Sequence, residues 1–124
     1  MVEFNFIKPK ENKGSVKLTV QKTGKLGFSK NAIDLLDLQN NRYCKFATVV
    51  NEDGLYMLIS NEKDDYTFDI SKAGDYFYIK AKSFLTDLNV DYENKDITVI
   101  YDISNMDEQN NMYKLKKRVI NKRK

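Results

Sequence analysis

The chain has no histidine among its 124 residues, and it has one cysteine. The first absence removes the commonest general base and the commonest transition-metal ligand. No Ser–His or Cys–His pair can exist, and a single thiol all but excludes a zinc site. An internal disulfide is impossible. Cys44 lies in the strand-like run RYCKFATVV and reads as a small buried apolar residue. Nothing approaches the ~18 consecutive apolar residues of a membrane-spanning helix, and the opening MVEFNFIKPKENKG has no secretory pattern. No glycine pattern would cradle a nucleotide. The run EKDD (62–65), with Asp69, fits no calcium-loop spacing. Nothing singles out a catalytic carboxylate pair from eighteen acidic residues. The expectation is a soluble, cytoplasmic, non-enzymatic protein that needs no cofactor and no metal.

What is present is an ordinary globular balance, 41% hydrophobic and 31% charged, in a length that favours one core. The charge is segregated along the chain. Residues 1–50 hold nine Lys/Arg against four Asp/Glu, and residues 51–113 hold five against fourteen. The last eleven residues, KLKKRVINKRK, hold seven Lys/Arg and no acid. This segment (Lys114, Lys116, Lys117, Arg118, Lys122, Arg123, Lys124) reads as a basic C-terminal tail, 114–124. As a mobile arm it would lie along phosphates and release counterions. As a solvated terminus it would aid solubility or fold back on the acidic half.

The chain also repeats itself. Shifted by fifty without gaps, Lys22, Gly24, Lys30, Leu35, Asp37 and Leu38 fall on Lys72, Gly74, Lys80, Leu85, Asp87 and Leu88. Thr48 and Val49 then fall on Thr98 and Val99. In the first copy SVKLTVQ alternates, with Val16, Leu18 and Val20 on one face, as a half-buried strand does. KTGK is a turn in which Gly24 takes a positive φ, LGF a second strand, and Ser29 a cap for the helix KNAIDLLDL. RYCKFATVV and LYMLIS are strands joined by NEDG. The second copy reads YTFDI, the turn SKAGD, YFYI, the helix KAKSFLTDL and the strand ITVIYDI, with NMDEQNNM a linker to the tail. The expected fold is α+β and mainly β. One domain, 1–113, would consist of two units, about 15–60 and 66–103, packed about a pseudo-two-fold axis because neither buries enough core alone.

Gly24-Lys25, the apolar Leu26 and Phe28, Ser29 in place of a proline, the helix NAIDLLDL and the closing hairpin RYCKFATVV-NEDG-LYMLIS together resemble the SpoVT/AbrB-like swapped-hairpin family. The resemblance covers 15–60 well and 66–103 less well. It implies a small swapped-hairpin-like barrel and DNA binding through basic residues near the turn and helix start. Those are Lys22, Lys25, Lys30 and Arg42 in the first copy and Lys72, Lys80 and Lys82 in the second. Tyr66, Phe68, Tyr76, Phe77 and Tyr78 cluster in sequence. Aromatics on a sheet can stack bases, yet alternation in YFYI commits Phe77 and Ile79 or Tyr76 and Tyr78 to the core.

The leading expectation is a small nucleic-acid-binding protein of transcription-regulatory type. Lysines of the first repeat and the C-terminal arm would contact phosphate. The alternative is a non-enzymatic protein–protein module or phage-type accessory protein, with the acidic half meeting a basic partner. Self-association into a homo-oligomer through exposed hairpin edges is a third reading.

Overall fold

Alternation carries most of the chain into strands. The computed structural model describes residues 2–6, 16–48, 54–107 and 112–121. In chain order these form β1 (Lys17–Val20), β2 (Lys25–Phe28), α1 (Lys30–Leu35), β3 (Tyr43–Thr48) and β4 (Leu55–Ser60). There follow β5 (Phe68–Ala73), β6 (Tyr76–Lys80), α2 (Lys82–Asp87), β7 (Ile97–Asp107) and β8 (Met112–Asn121). The strands close into an antiparallel barrel in the order β1-β2-β6-β5-β3-β4-β8-β7. Leu18, Leu26, Met57, Ile59, Phe77 and Ile79 point inward and are 2% exposed or less. Side chains of alternate residues fill the interior of a barrel this size. Among the described residues no helix is long and apolar enough to cross a membrane.

The β3–β4 hairpin has β5 and β8 as its neighbours, not β1 or β2. The β7–β8 hairpin likewise lies between β1 and β4. Each hairpin therefore fills a gap left by the other half of the chain. Exchanging β1–β4 with β5–β8 returns the same cyclic order.

Both helices are six residues long and end alike. After the C-caps Leu36 and Leu88, Asp37 and Asn89 take positive φ of 51° and 59°. Leu38 N–H then donates to Ile33 C=O at 3.1 Å and Val90 N–H to Leu85 C=O at 2.9 Å, the reversal that satisfies orphan carbonyls at a helix end. Ser29 caps α1 through its hydroxyl, which accepts from Ala32 N–H at 3.3 Å; Ala81 offers α2 no such side-chain cap.

Several expectations need correction. The helices correspond at a spacing of fifty-two, since α1 begins at Lys30 and α2 at Lys82. The gapless shift of fifty therefore pairs unlike positions: Leu35 is 51% exposed and Leu85 is fully buried. Helix α1 stops at Leu35 rather than Leu38, because the reversal at Asp37 is what buries Leu38. Strand β5 begins at Phe68 and takes in Ser71–Ala73, leaving a two-residue turn at Gly74–Asp75. Tyr66 lies outside it and is 79% exposed.

The basic tail is the largest correction. Residues 112–121 are β8, paired with β7 along its length and with β4 from Met112 to Leu115. Tyr113 and Leu115 hold it to the core at 5% and 4% exposure. Asn105–Asp107 of the expected linker belong to β7, and Met112 belongs to β8. Lys122, Arg123 and Lys124 lie outside the described residues, as do Ser15, Val49, Val50 and the residues 51–53 of the β3–β4 turn.

Candidate nucleic-acid interface

Because side chains alternate across a strand, a strand with an apolar inner face has a second face free for charge. On β8 the outward positions are Lys114, Lys116 and Arg118, all exposed. A rise of about 3.3 Å per residue sets them in a row some 6–7 Å apart. Register then assembles their neighbours. Lys116 stands opposite Asp102 of β7, and Asp102 stands opposite Lys17 of β1. Thr19 of β1 lies opposite Gly27 of β2, itself opposite Tyr78 of β6. Lys25 of β2 faces Lys80 of β6 directly. The outer face of β6-β2-β1-β7-β8 thus carries Lys17, Lys25, Lys80, Lys114, Lys116 and Arg118, with the Asp102 carboxylate set among them. The basic N-terminal half and the basic C-terminal segment, far apart in sequence, meet here across β7.

Two features organise the face. Arg118 donates twice to Asp102, Nε–Oδ2 at 2.8 Å and Nη2–Oδ1 at 3.0 Å. These bonds hold the Asp102 carboxyl below the usual range, aided by the nearby charges of Arg118, Lys17 and Lys116 against partial desolvation. Further round, the Lys25 ammonium sits 4.5 Å from the Tyr78 ring centroid, a cation–π contact. Tyr78 stacks on Tyr76 with centroids 5.5 Å apart. Gly27 makes room for the Tyr76 ring, since a Cβ there would meet the Tyr76 hydroxyl, which accepts from Gln21 Nε2. Alternation in YFYI resolves as it must in a barrel, with Phe77 and Ile79 in the core and Tyr76 and Tyr78 outside.

Other cations singled out in the sequence sit elsewhere. Lys22 Nζ donates to Asn94 C=O at 2.6 Å and Ile97 C=O at 3.0 Å, tying the first turn to the start of β7. Arg42 donates through Nε and Nη2 to Ile70 C=O at 3.1 and 3.0 Å and lies 5.5 Å from the Phe77 ring centroid. Lys30 opens α1 beside a cleft that also has Asp34 and Asp75 in its wall. Lys72 donates to Gln39 Oε1 at 3.2 Å. Lys117 is exposed and lies on the other side of β8 from Lys116 and Arg118, in the lining of a cleft with Tyr101 and Leu115. Of the described candidate cations, Lys25, Lys80, Lys114, Lys116 and Arg118 share the face. Lys17, read in the sequence only as part of a strand's polar side, joins them, and its place in the alternation of SVKLTVQ was the available signal.

In the acidic loop Asp64 pairs with Lys45 of β3 and accepts from Tyr66 N–H at 2.8 Å, and Lys63 lies 3.7 Å from Asp69. Lys45 is the first cause of the lowered Asp64 carboxyl. No group of three metal-ligating side chains comes together among the described residues. Cys44 is fully buried, and desolvation pushes its thiol well up. No protein-family model matches the chain, and no curated protein or solved structure matches it either.

Proposed function

We propose that this protein binds nucleic acid through the basic outer face of β6-β2-β1-β7-β8, as a regulatory protein of duplicated swapped-hairpin type. The observation that carries this reading is the convergence of Lys17, Lys114, Lys116 and Arg118 on adjoining strands around one carboxylate. Such a concentration of exposed cations costs self-repulsion and contributes little to folding, but it suits a phosphate backbone. The exchange-symmetric strand order and the matching helix ends support descent from one repeated unit, the arrangement that the AbrB-like resemblance implies.

The test is fluorescence anisotropy with a labelled duplex and a labelled single strand, titrated at rising salt. Each phosphate neutralised adds about 0.9 to the slope of log affinity against log salt for a duplex and about 0.7 for a single strand. The double variant Lys114→Glu, Lys116→Glu is expected to lower affinity and flatten the slope by about 2 units on duplex. Lys95→Glu, exposed in the loop before β7, is the control and should change little. Absence of binding at low salt, or equal loss in the control, removes the proposal.

A protein partner is the second reading. It is favoured by Val2, Phe4 and Phe6, which alternate in sequence and are 76%, 78% and 95% exposed. Co-purification of a stoichiometric protein that is lost on replacing Phe4 and Phe6 with Ser would support it.

A further inference from the structure

Leu55 of β4, Leu88 at the C-cap of α2 and Leu115 of β8 wall an open cleft of about 250 Å³ that Thr48 and Gly54 also line. Tyr101 and Lys117 stand directly opposite each other on β7 and β8, and both line the same cleft. Tyr101 is only 5% exposed. Neither its hydroxyl nor the Lys117 ammonium has a hydrogen-bond or ion-pair partner among the described residues. No fully buried side-chain oxygen or nitrogen among them lacks a partner, so the Tyr101 hydroxyl reaches solvent. Its ring is covered, and the residue lines the cleft.

We infer that this cleft is a binding site for a small carboxylate with an apolar tail. The apolar wall takes the tail. One O–H donor and one ammonium, side by side at a β7–β8 register pair, match the two oxygens of a carboxylate. A neutral alcohol would use only part of this set and leave the ammonium without an anion. Thr48 also lines the cleft, but a phosphate dianion would bring a second charge, and Lys117 is the one cation among the lining residues. Burial raises the Tyr101 phenol, which keeps it a donor at neutral pH. The site stands apart from the basic outer face, because Lys117 lies on the other side of β8 from Lys116 and Arg118.

The test uses the full chain and three probes of one tail length: octanoate, 1-octanol and octylamine. Binding is followed by backbone amide shifts and by thermal stability. Octanoate is expected to saturate the shifts of Leu55, Leu88 and Leu115, with octanol weaker and octylamine without effect. Lys117→Met should weaken octanoate about tenfold or more while leaving octanol unchanged. Tyr101→Phe should weaken octanoate about threefold to tenfold without lowering the melting temperature, since it removes a hydroxyl with no protein partner. If octanoate leaves these amides unmoved, or binds Lys117→Met as well as the native chain, the assignment fails. Equal binding of octanol and octanoate to the native chain would likewise reduce the cleft to a simple apolar dimple and overturn it.

Discussion

The guanidinium of Arg42 donates twice to one carbonyl, that of Ile70, while Ile70 N–H donates back to the Arg42 carbonyl at 2.8 Å. A side chain so committed is a splice between the start of β3 and the middle of β5. Arg42→Ala should therefore destabilise the fold by about 1–2 kcal/mol, read by urea denaturation, and change nucleic-acid affinity no more than that loss explains. Asp102 carries a different single-residue consequence. Its bonds from Arg118 lower its folded pKa below the unfolded value of about 3.9. A depressed carboxylate stabilises the fold above the unfolded pKa and loses that effect as pH falls through the folded value. Asp64, lowered first by Lys45, acts in the same direction. Asp102→Asn should thus melt below the native protein near neutral pH, and the gap should close steadily below about pH 4. Melting curves from pH 7 down to pH 2 check this.

Among the elements, β1 was legible because period-two alternation of apolar residues leaves few alternatives, and β4 and β6 as short apolar, aromatic-containing runs next to turn residues. Strand β8 was not. Its inward apolar pair, Tyr113 and Leu115, is followed by a run in which Lys117 replaces the next apolar position, so charge hid the alternation. Helix ends were equally opaque, since the positive φ at Asp37 and Asn89 follows from burying Leu38 and Val90 rather than from a glycine signal. The candidate face was legible residue by residue at Lys25, Lys80, Lys114, Lys116 and Arg118. Its contiguity was not, because it depends on β7 lying between β1 and β8. The two readings of the C-terminal segment part company in one experiment. A free arm can be removed without harm, but deleting 114–124 takes Leu115 out of the core and leaves β4 and β7 without their partner. The deletion should abolish cooperative unfolding, seen by circular dichroism on heating.

At the scale of the whole molecule, neither half can satisfy its own strands. The β1–β2 hairpin needs β6 on one side and β7 on the other, and the β3–β4 hairpin needs β5 and β8. Every hairpin is therefore stabilised across the sequence midpoint, and loop-closure entropy is spent before any of these contacts form. The two halves are not equivalent in detail. Gly24, at φ 87°, lies against Lys82, so a Cβ there would come within 3.1 Å of that side chain, and Ala81 N–H donates to Gly24 C=O at 3.0 Å. Gly74, at φ 63°, has open space around it. The first turn is docked on the start of α2, while the second stands off α1 beside the cleft that Lys30 and Asp75 share. Cutting the chain in the exposed loop between β4 and β5 exploits this arrangement. Fragments 1–63 and 64–124 should each be largely unfolded alone, because each exposes hairpins with unpaired edges. Mixed at equal concentration, they should recover the β-sheet signal and a single cooperative melt whose midpoint rises with concentration. If 1–63 instead folds by itself, sizing should find a dimer, with the second copy of β1–β4 standing where β5–β8 stand in the intact chain. A folded monomer of either fragment is the outcome this topology forbids.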